Sequence, residues 1–503
     1  MRHLPAHAGA ASERDRLVVT GDARATAAPV VPDPRRWHAL WVLMLALFMD
    51  LLDGNVVNVA IPSLREELGM TAAQLQWVPA AYMLSFGVLL VPGGRLGDIV
   101  GRKRMFLVGA LGFVLGSAVC ALAWDAEAMV AARAVQGAFA AVMVPQVLAI
   151  IRVAFAEEFA KVVGISAVIA GVAVVSGPLV GGLLVEADLF GLGWRGVFAV
   201  NVPVGALTVV LAGRWVRESR APGVRRLDLA GVGLAVLALL LLLVPLVQGR
   251  ELGWPLWSVA SVVLFVPALV LFVRHQRSRG RRGLPQLVVL DLFASRAFSA
   301  GLAVQLLFQG LPAAFFLVWT LYVQVGMGWT ALDTGLASIP FSVAVAVSGG
   351  VSVQFVYPRL GRMTLLLGVL LTIAGLVVFG VVAREGGTRV DALAMALPLA
   401  LIGLGVGQVL SPLTGLILSF VPVRHAGSAS GLVGATGQVG AALGVVLVGL
   451  VFFGSTTGYA AAFERALWLL VGLMAAVALL LCALPGPIRS GAPPSADPVT
   501  TTR

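Results

Sequence analysis

Apolar positions in this chain come in long runs, not in alternation. Windows of about twenty residues, the length of helix that crosses ~30 Å of hydrocarbon, fall at 39–61, 76–96, 105–123, 128–150, 162–185, 196–215, 229–247, 257–273, 298–323, 334–356, 363–383, 392–418, 428–452 and 464–484. The pattern predicts fourteen membrane-spanning helices and an all-α membrane protein. A transmembrane barrel would need short strands of alternating polarity, and no stretch alternates that way. Gly and Ala recur inside the runs, which suits close approach of helices in lipid.

Composition agrees: 59% of the 503 residues are hydrophobic and 12% charged, against about half and a quarter in soluble domains. Charge placement then gives orientation. An even number of spans puts both termini on one side, together with the loops that hold Arg102, Lys103 and Arg104, Arg152 and Lys161, Arg214 to Arg226, and Arg274 to Arg282. Roughly 28 of the 35 Lys and Arg residues fall on that side, which the positive-inside rule makes cytoplasmic. A multi-pass protein of the plasma (inner) membrane with both termini inside is expected. The net charge of +11 is therefore a topology signal; scattered over short loops, it is no footprint for nucleic acid. Residues 1–37 and 486–503 are polar and rich in Ala and Pro, and are expected to be disordered cytoplasmic extensions. No apolar stretch with a cleavage site stands near the start, so no secretory signal is expected. Cys120 and Cys482 lie in spans, and the five histidines occur singly, so neither a disulfide framework nor a metal site is expected. No Walker-type pattern occurs, and no cofactor is expected.

Asp53 in the first span and Arg133 in the fourth each stand inside a long apolar run. An unpaired charge there costs several kcal/mol, so such residues mark function by default. Asp50 lies three residues before Asp53, on much the same helix face; it is a candidate second proton site, a cation anchor, or a headgroup-level residue. Gln136 stands one turn beyond Arg133, placed to orient it or to make a plain interhelical contact. Weak internal repetition adds a plan. The loop 96–102 (LGDIVGR) echoes 356–362 (VYPRLGR), and 164–171 (GISAVIAG) echoes 427–434 (GSASGLVG). Two six-helix halves, 38–217 and 283–485, with an inserted pair over 218–282, are expected; related halves flanking a midplane site are a transporter design.

Several motifs carry a resemblance. Gly94-Arg95-Leu96-Gly97-Asp98-Ile99-Val100-Gly101-Arg102-Lys103-Arg104 resembles the signature between helices two and three of the major facilitator superfamily. Leu52-Asp53-Gly54-Asn55-Val56-Val57-Asn58-Val59-Ala60-Ile61-Pro62, Arg133-Ala134-Val135-Gln136-Gly137, Ser176-Gly177-Pro178-Leu179-Val180-Gly181-Gly182 and Trp194-Arg195-Gly196-Val197-Phe198-Ala199-Val200-Asn201-Val202-Pro203 resemble, in order, the helix one, four, five and six motifs of its fourteen-helix drug:proton antiporters. Departures are Ile99, where members often carry a cation, Pro358, where the second-half counterpart of Asp98 would map, and the Gly437-Gln438 pair, where relatives often place an Arg.

The resemblance implies a proton-coupled exporter of drug-like or amphiphilic molecules, associated with antibiotic resistance, whose first and fourth helices line a central cavity. Asp53 and Arg133 would then load and unload a proton as their separation or hydration changes; the alternative is a static buried pair that fixes helix packing. Gly94, Gly101 and the other loop glycines permit a tight reversal, and Asp98 can accept from a neighbouring helix start or from an Arg. Gly177, Pro178, Gly181 and Gly182 carry no reactive group and are expected to act as a hinge or as packing surface. In span nine, Gln305 and Gln309 with Phe308, Phe315, Phe316, Trp319 and Tyr322 could line an apolar substrate cavity, or anchor and pack. The expected partners are small-molecule substrate, protons and the lipid bilayer, with a monomer as the working unit. Proton-coupled uptake of a metabolite is the alternative within transport, and a membrane-embedded transferase the alternative outside it.

Overall fold

The computed structural model describes residues 35–155, 158–220, 227–421, 426–456 and 458–483; the expected terminal extensions lie almost wholly outside the described residues. Long helices account for the chain: α1 (Arg36–Leu68), α2 (Ala72–Val100), α3 (Arg102–Ala121), α4 (Ala126–Ala154) and α5 (Phe159–Glu186), then α6 (Gly196–Ala199) running into α7 (Asn201–Trp215). The pair α8 (Leu229–Gln248) and α9 (Leu256–Arg281) follows, then α10 (Arg296–Thr320), which continues through a π-helical turn to Gly326. The tenth crossing is assembled from α11 (Ala331–Ala337), α12 (Ile339–Val351) and α13 (Tyr357–Leu360), and α14 (Arg362–Gly386), α15 (Ala392–Ser419), α16 (Ala426–Phe453) and α17 (Tyr459–Ala483) complete the bundle. Fourteen segments are long and apolar enough to span a membrane, as the hydropathy pattern predicts. The helices overrun the predicted limits, α1 reaching Leu68 instead of residue 61, because helical hydrogen bonding persists past the hydrocarbon edge where polar side chains take over.

Packing follows the small residues. The bundle's first part is built on α2 against α4, α3 against α4 and α1 against α5; its last part on α10 against α16, α14 against α15 and α12 against α15. Two seams join the parts, α2 with α16 and α5 with α11 and α12. α8 and α9 pair with each other, and α8 meets α2 and α16. The outer face of α9, including Leu256, Val263 and Leu271, is exposed, as a lipid-facing surface requires.

A polar clasp ties this helical pair to the segment that follows it. Asp228, capping α8, accepts from the Gly231 N–H (3.0 Å), His275 Nε2 (2.8 Å) and Gln276 Nε2 (2.8 Å), with Arg279 Nε at 3.4 Å. Gln276 Oε1 in turn accepts the N–H groups of Leu287 and Val288 at 2.9 and 3.3 Å.

The stretch expected to form a loop after the second span is helical almost throughout. α2 runs to Val100 and only Gly101 breaks it, at φ 130°. Gly94 therefore makes no reversal. The neighbouring glycines serve helix contact instead: a Cβ on Gly93 would lie 2.1 Å from the Ala141 carbonyl oxygen, and one on Gly97 1.8 Å from Gln146 Oε1. Asp98 does accept from Arg102, at 3.2 Å from Nε and 2.9 Å from Nη2. Glu218 completes the corner, accepting the Lys103 and Arg104 N–H groups at 3.0 and 3.2 Å and so satisfying orphan donors at the start of α3.

Candidate functional site

Asp53 and Arg133 meet in the interior. Arg133 Nη1 donates to Asp53 Oδ2 at 2.6 Å, and the two side chains are 1% and 0% exposed. Both Asp53 oxygens are filled, since Oδ1 accepts from Gln136 Nε2 (3.0 Å) and Asn201 Nδ2 (2.8 Å). Arg133 also donates from Nε to the Val78 carbonyl (3.2 Å) and from Nη1 to Gln136 Oε1 (2.6 Å). Gln136 further donates to Ser117 Oγ at 2.7 Å. Four helices, α1, α3, α4 and α7, plus a carbonyl of α2, thus converge on one ion pair. Charges this deep persist only when paired and hydrogen-bonded, and here the two are paired and both carboxylate oxygens are engaged.

Small residues allow that convergence. A Cβ on Gly137 would lie 2.3 Å from the Tyr82 carbonyl oxygen, and one on Gly116 would lie 2.9 Å from Gln136 Cβ. The glycine that ends the Arg133–Gly137 motif thereby lets α4 touch α2 and bring Arg133 within reach of Val78.

Asp50 belongs to the same cluster and not to a headgroup layer. It lies fourteen residues into α1, roughly 21 Å along the axis, is 5% exposed, and accepts from Tyr82 Oη at 2.5 Å. The Tyr82 ring carries the Arg133 guanidinium over its face, with Cζ 4.3 Å from the ring centroid, a favourable cation–π geometry. Tyr82, Ser117 and Asn201 received no role from sequence reasoning. The available signal was a polar residue inside an apolar run, weaker than a charge.

The helix five motif lies at a junction. A Cβ on Gly177 would lie 2.6 Å from Asn55 Cβ and one on Gly181 2.8 Å from Val56 Cγ2, so both glycines seat α5 on α1. Gly182 faces the other part of the bundle, 2.5 Å from the Ala331 carbonyl oxygen by the same measure, while Gly335 meets the Pro178 carbonyl oxygen at 2.7 Å. Arg65 Nη1 donates to Tyr459 Oη (2.8 Å) and Gln324 Nε2 to the Val59 carbonyl (3.1 Å). The Gly182, Gly335, Arg65 and Gln324 contacts lie toward the ends of α1, α5 and α10, and there the two parts of the bundle close on each other.

The span nine candidates divide. Gln305 and Gln309 border Gly437 of α16, whose Cβ would lie 3.0 and 3.3 Å from their Nε2 atoms. Phe316 packs edge-on to Phe341. Trp319 is fully buried, stacked with Phe315 in a cluster that takes in Phe379 and Phe463, and its indole N–H has no acceptor. Phe308, Phe315 and Tyr322 are equally buried; they are core residues, not interface anchors. A cavity of about 570 Å³ opens on the flank between α2, α4 and α8, lined by Trp77, Leu84, Val130 and Leu240, away from these residues. Among the described residues no group of His, Cys, Asp or Glu is arranged to hold a metal ion.

Residues 43–445 match the sequence profile of the Major Facilitator Superfamily. The chain is 39% identical over 430 residues to a probable actinorhodin transporter of Streptomyces coelicolor (85% of this chain, 74% of that protein). It is 37% identical over 439 residues to puromycin resistance protein pur8 of Streptomyces alboniger (86% and 84%), and 34% identical over 413 residues to multidrug resistance protein Stp of Mycobacterium tuberculosis (81% and 74%). Among solved structures, a POT family transporter in complex with a thioalcohol-conjugated peptide superposes with a TM-score of 0.65 at 15% identity, covering 88% of this chain and 96% of that one.

Proposed function

Because the chain belongs to the major facilitator superfamily, we propose that it is an antiporter, exporting an amphiphilic drug-like or secondary-metabolite compound across the plasma membrane in exchange for protons. The observation that carries the coupling is the Asp53–Arg133 pair, a carboxylate and a guanidinium at 2.6 Å and no more than 1% exposed in a chain of fourteen candidate spans. Asp53, Arg133 and Asp50 form the coupling cluster. Export as the direction is supported by relatives named for actinorhodin transport, puromycin resistance and multidrug resistance.

The end with both termini is cytoplasmic in this reading, which makes the junction of Gly182 and Gly335 periplasmic and the described conformation closed on that side. Gln305, Gln309 and Phe316 contact substrate beside Gly437, with Gln136 tuning the ion pair. Trp319 backs that wall. One proton moving inward releases about 2.3 kcal/mol per 100 mV, enough for a roughly 40-fold gradient of a neutral solute, so no nucleotide is needed.

Everted membrane vesicles loaded with an acid interior test the reading, with puromycin as the probe. Accumulation that collapses when both the pH difference and the voltage are abolished is expected. Accumulation indifferent to both, or accumulation by intact cells in place of vesicles, overturns it.

A further inference from the structure

The cluster holds two carboxylates and one guanidinium. Among the described residues, the charged and titratable groups facing Asp50 are Asp53 on its own helix, Tyr82 on α2 and Arg133 on α4. α7 approaches this stretch of α1 with an apolar contact, Gly205 against Met49, and with the amide of Asn201, which is spent on Asp53. Fully ionised, the site would hold a net negative charge in hydrocarbon, which is costly. One bound proton balances it.

The hydrogen bonds say where. Asp53 receives three donors, from Arg133, Gln136 and Asn201, and is fully buried. A proton on Asp53 would displace at least one of these donors and would need the Gln136 or Asn201 amide to turn over to receive it, whereas the Gln136 oxygen already serves Arg133. Asp50 receives one donor, the Tyr82 hydroxyl at 2.5 Å, and keeps 5% of its surface accessible. A phenol both donates and accepts, so the contact survives protonation with its direction reversed: Asp50 then donates to Tyr82 Oη. The ring that makes this contact is the one under the Arg133 guanidinium.

We infer that the exchanged proton is carried by Asp50, that Asp53 is the permanently ionised counter-ion of Arg133, and that Tyr82 is the positioning residue linking the carrier to the ion pair. The assignment rests on the proton-antiport reading above, and it moves the titrating role from Asp53 to its neighbour one turn earlier. Loading forms the Asp50 O–H bond with a proton from one aqueous side; unloading breaks it and returns the proton to water on the other, with no other bond made or broken.

Infrared difference spectroscopy of the full chain in liposomes, titrated through the neutral range, reads this without any substrate. The carbonyl stretch of a protonated carboxyl is expected to appear on acidification in wild type and in Asp53→Asn, to shift in frequency in Asp50→Glu and in Tyr82→Phe, and to vanish in Asp50→Asn. A band that vanishes in Asp53→Asn but persists in Asp50→Asn overturns the assignment, as does its absence from wild type at every pH. A purified wild type that shows the expected bands yet fails to couple puromycin movement to a pH difference defeats the antiport reading while leaving the proton on Asp50.

Discussion

Gly182 of α5 and Gly335 of α11 form a reciprocal contact, each presenting bare backbone to the helix that carries the other. A Cβ on Gly182 would lie 2.5 Å from the Ala331 carbonyl oxygen, and one on Gly335 would lie 2.7 Å from that of Pro178. Real Cβ atoms do not approach backbone so closely, so the seam exists only while both residues lack side chains.

Gly182→Val or Gly335→Val should hold the seam apart and stall the transport cycle with that end open. On the export reading proposed above, the expected outcome is loss of most efflux of the puromycin probe at normal membrane expression, together with new labelling of Asn58→Cys by a membrane-impermeant maleimide added from the side opposite the termini. Unchanged labelling and efflux in both variants would mean the contact is incidental.

Arg133→Ala strands Asp53, which keeps only two amide donors. Leaving one member of a buried pair uncompensated costs about 3–5 kcal/mol, so a large drop in detergent melting temperature is expected along with lost transport. Removing both charges, in Arg133→Gln with Asp53→Asn, should restore much of the stability and none of the proton coupling. If stability follows the single variant, the pair is held by packing alone.

Hydrophobic runs made the number and order of spans legible because the bilayer leaves backbone polar groups few places to go, and Asp53 and Arg133 were visible for the same reason. What partnered them was not. Asn201 stands 148 positions from Asp53 and Tyr82 stands 32 positions from Asp50, yet each donates to that carboxylate. Such meetings depend on helix rotation, which hydropathy does not encode. The run from Gly94 to Gly101 misled in another way. Glycine serves tight turns and close helix contact alike, and Gly93 and Gly97 face α4, a distinction invisible without the neighbour.

Glu218 lies beyond α7 and outside the motif it supports, yet it takes the N–H groups of Lys103 and Arg104. Glu218→Ala should cost about 0.5–2 kcal/mol, the usual range for a lost helix cap. Glu218→Gln, which keeps an acceptor, should lose less. Melting curves of the purified variants check the order; equal losses would show that the charge, and not the capping geometry, matters.

Asp228 offers a pH test at the base of the α8–α9 pair. Burial would raise its pKa, but hydrogen bonds from His275, the Gly231 N–H and Gln276 outweigh burial and hold it below the ordinary carboxylate value. A carboxyl whose pKa is depressed by folding adds stability that is fully present above the unfolded value and fades as pH falls through the folded one. The carboxylate's own contribution is therefore constant at neutral pH and weakens only in acid. Asp228→Asn replaces an acceptor-only group with one that also donates, toward neighbours that are themselves donors, and an unsatisfied group of this kind costs about 1–3 kcal/mol. The variant should melt below wild type at neutral pH and converge on it below pH ~4, where wild-type Asp228 begins to take up a proton. A gap that stays the same across this range would place the clasp's contribution in packing and not in the carboxylate.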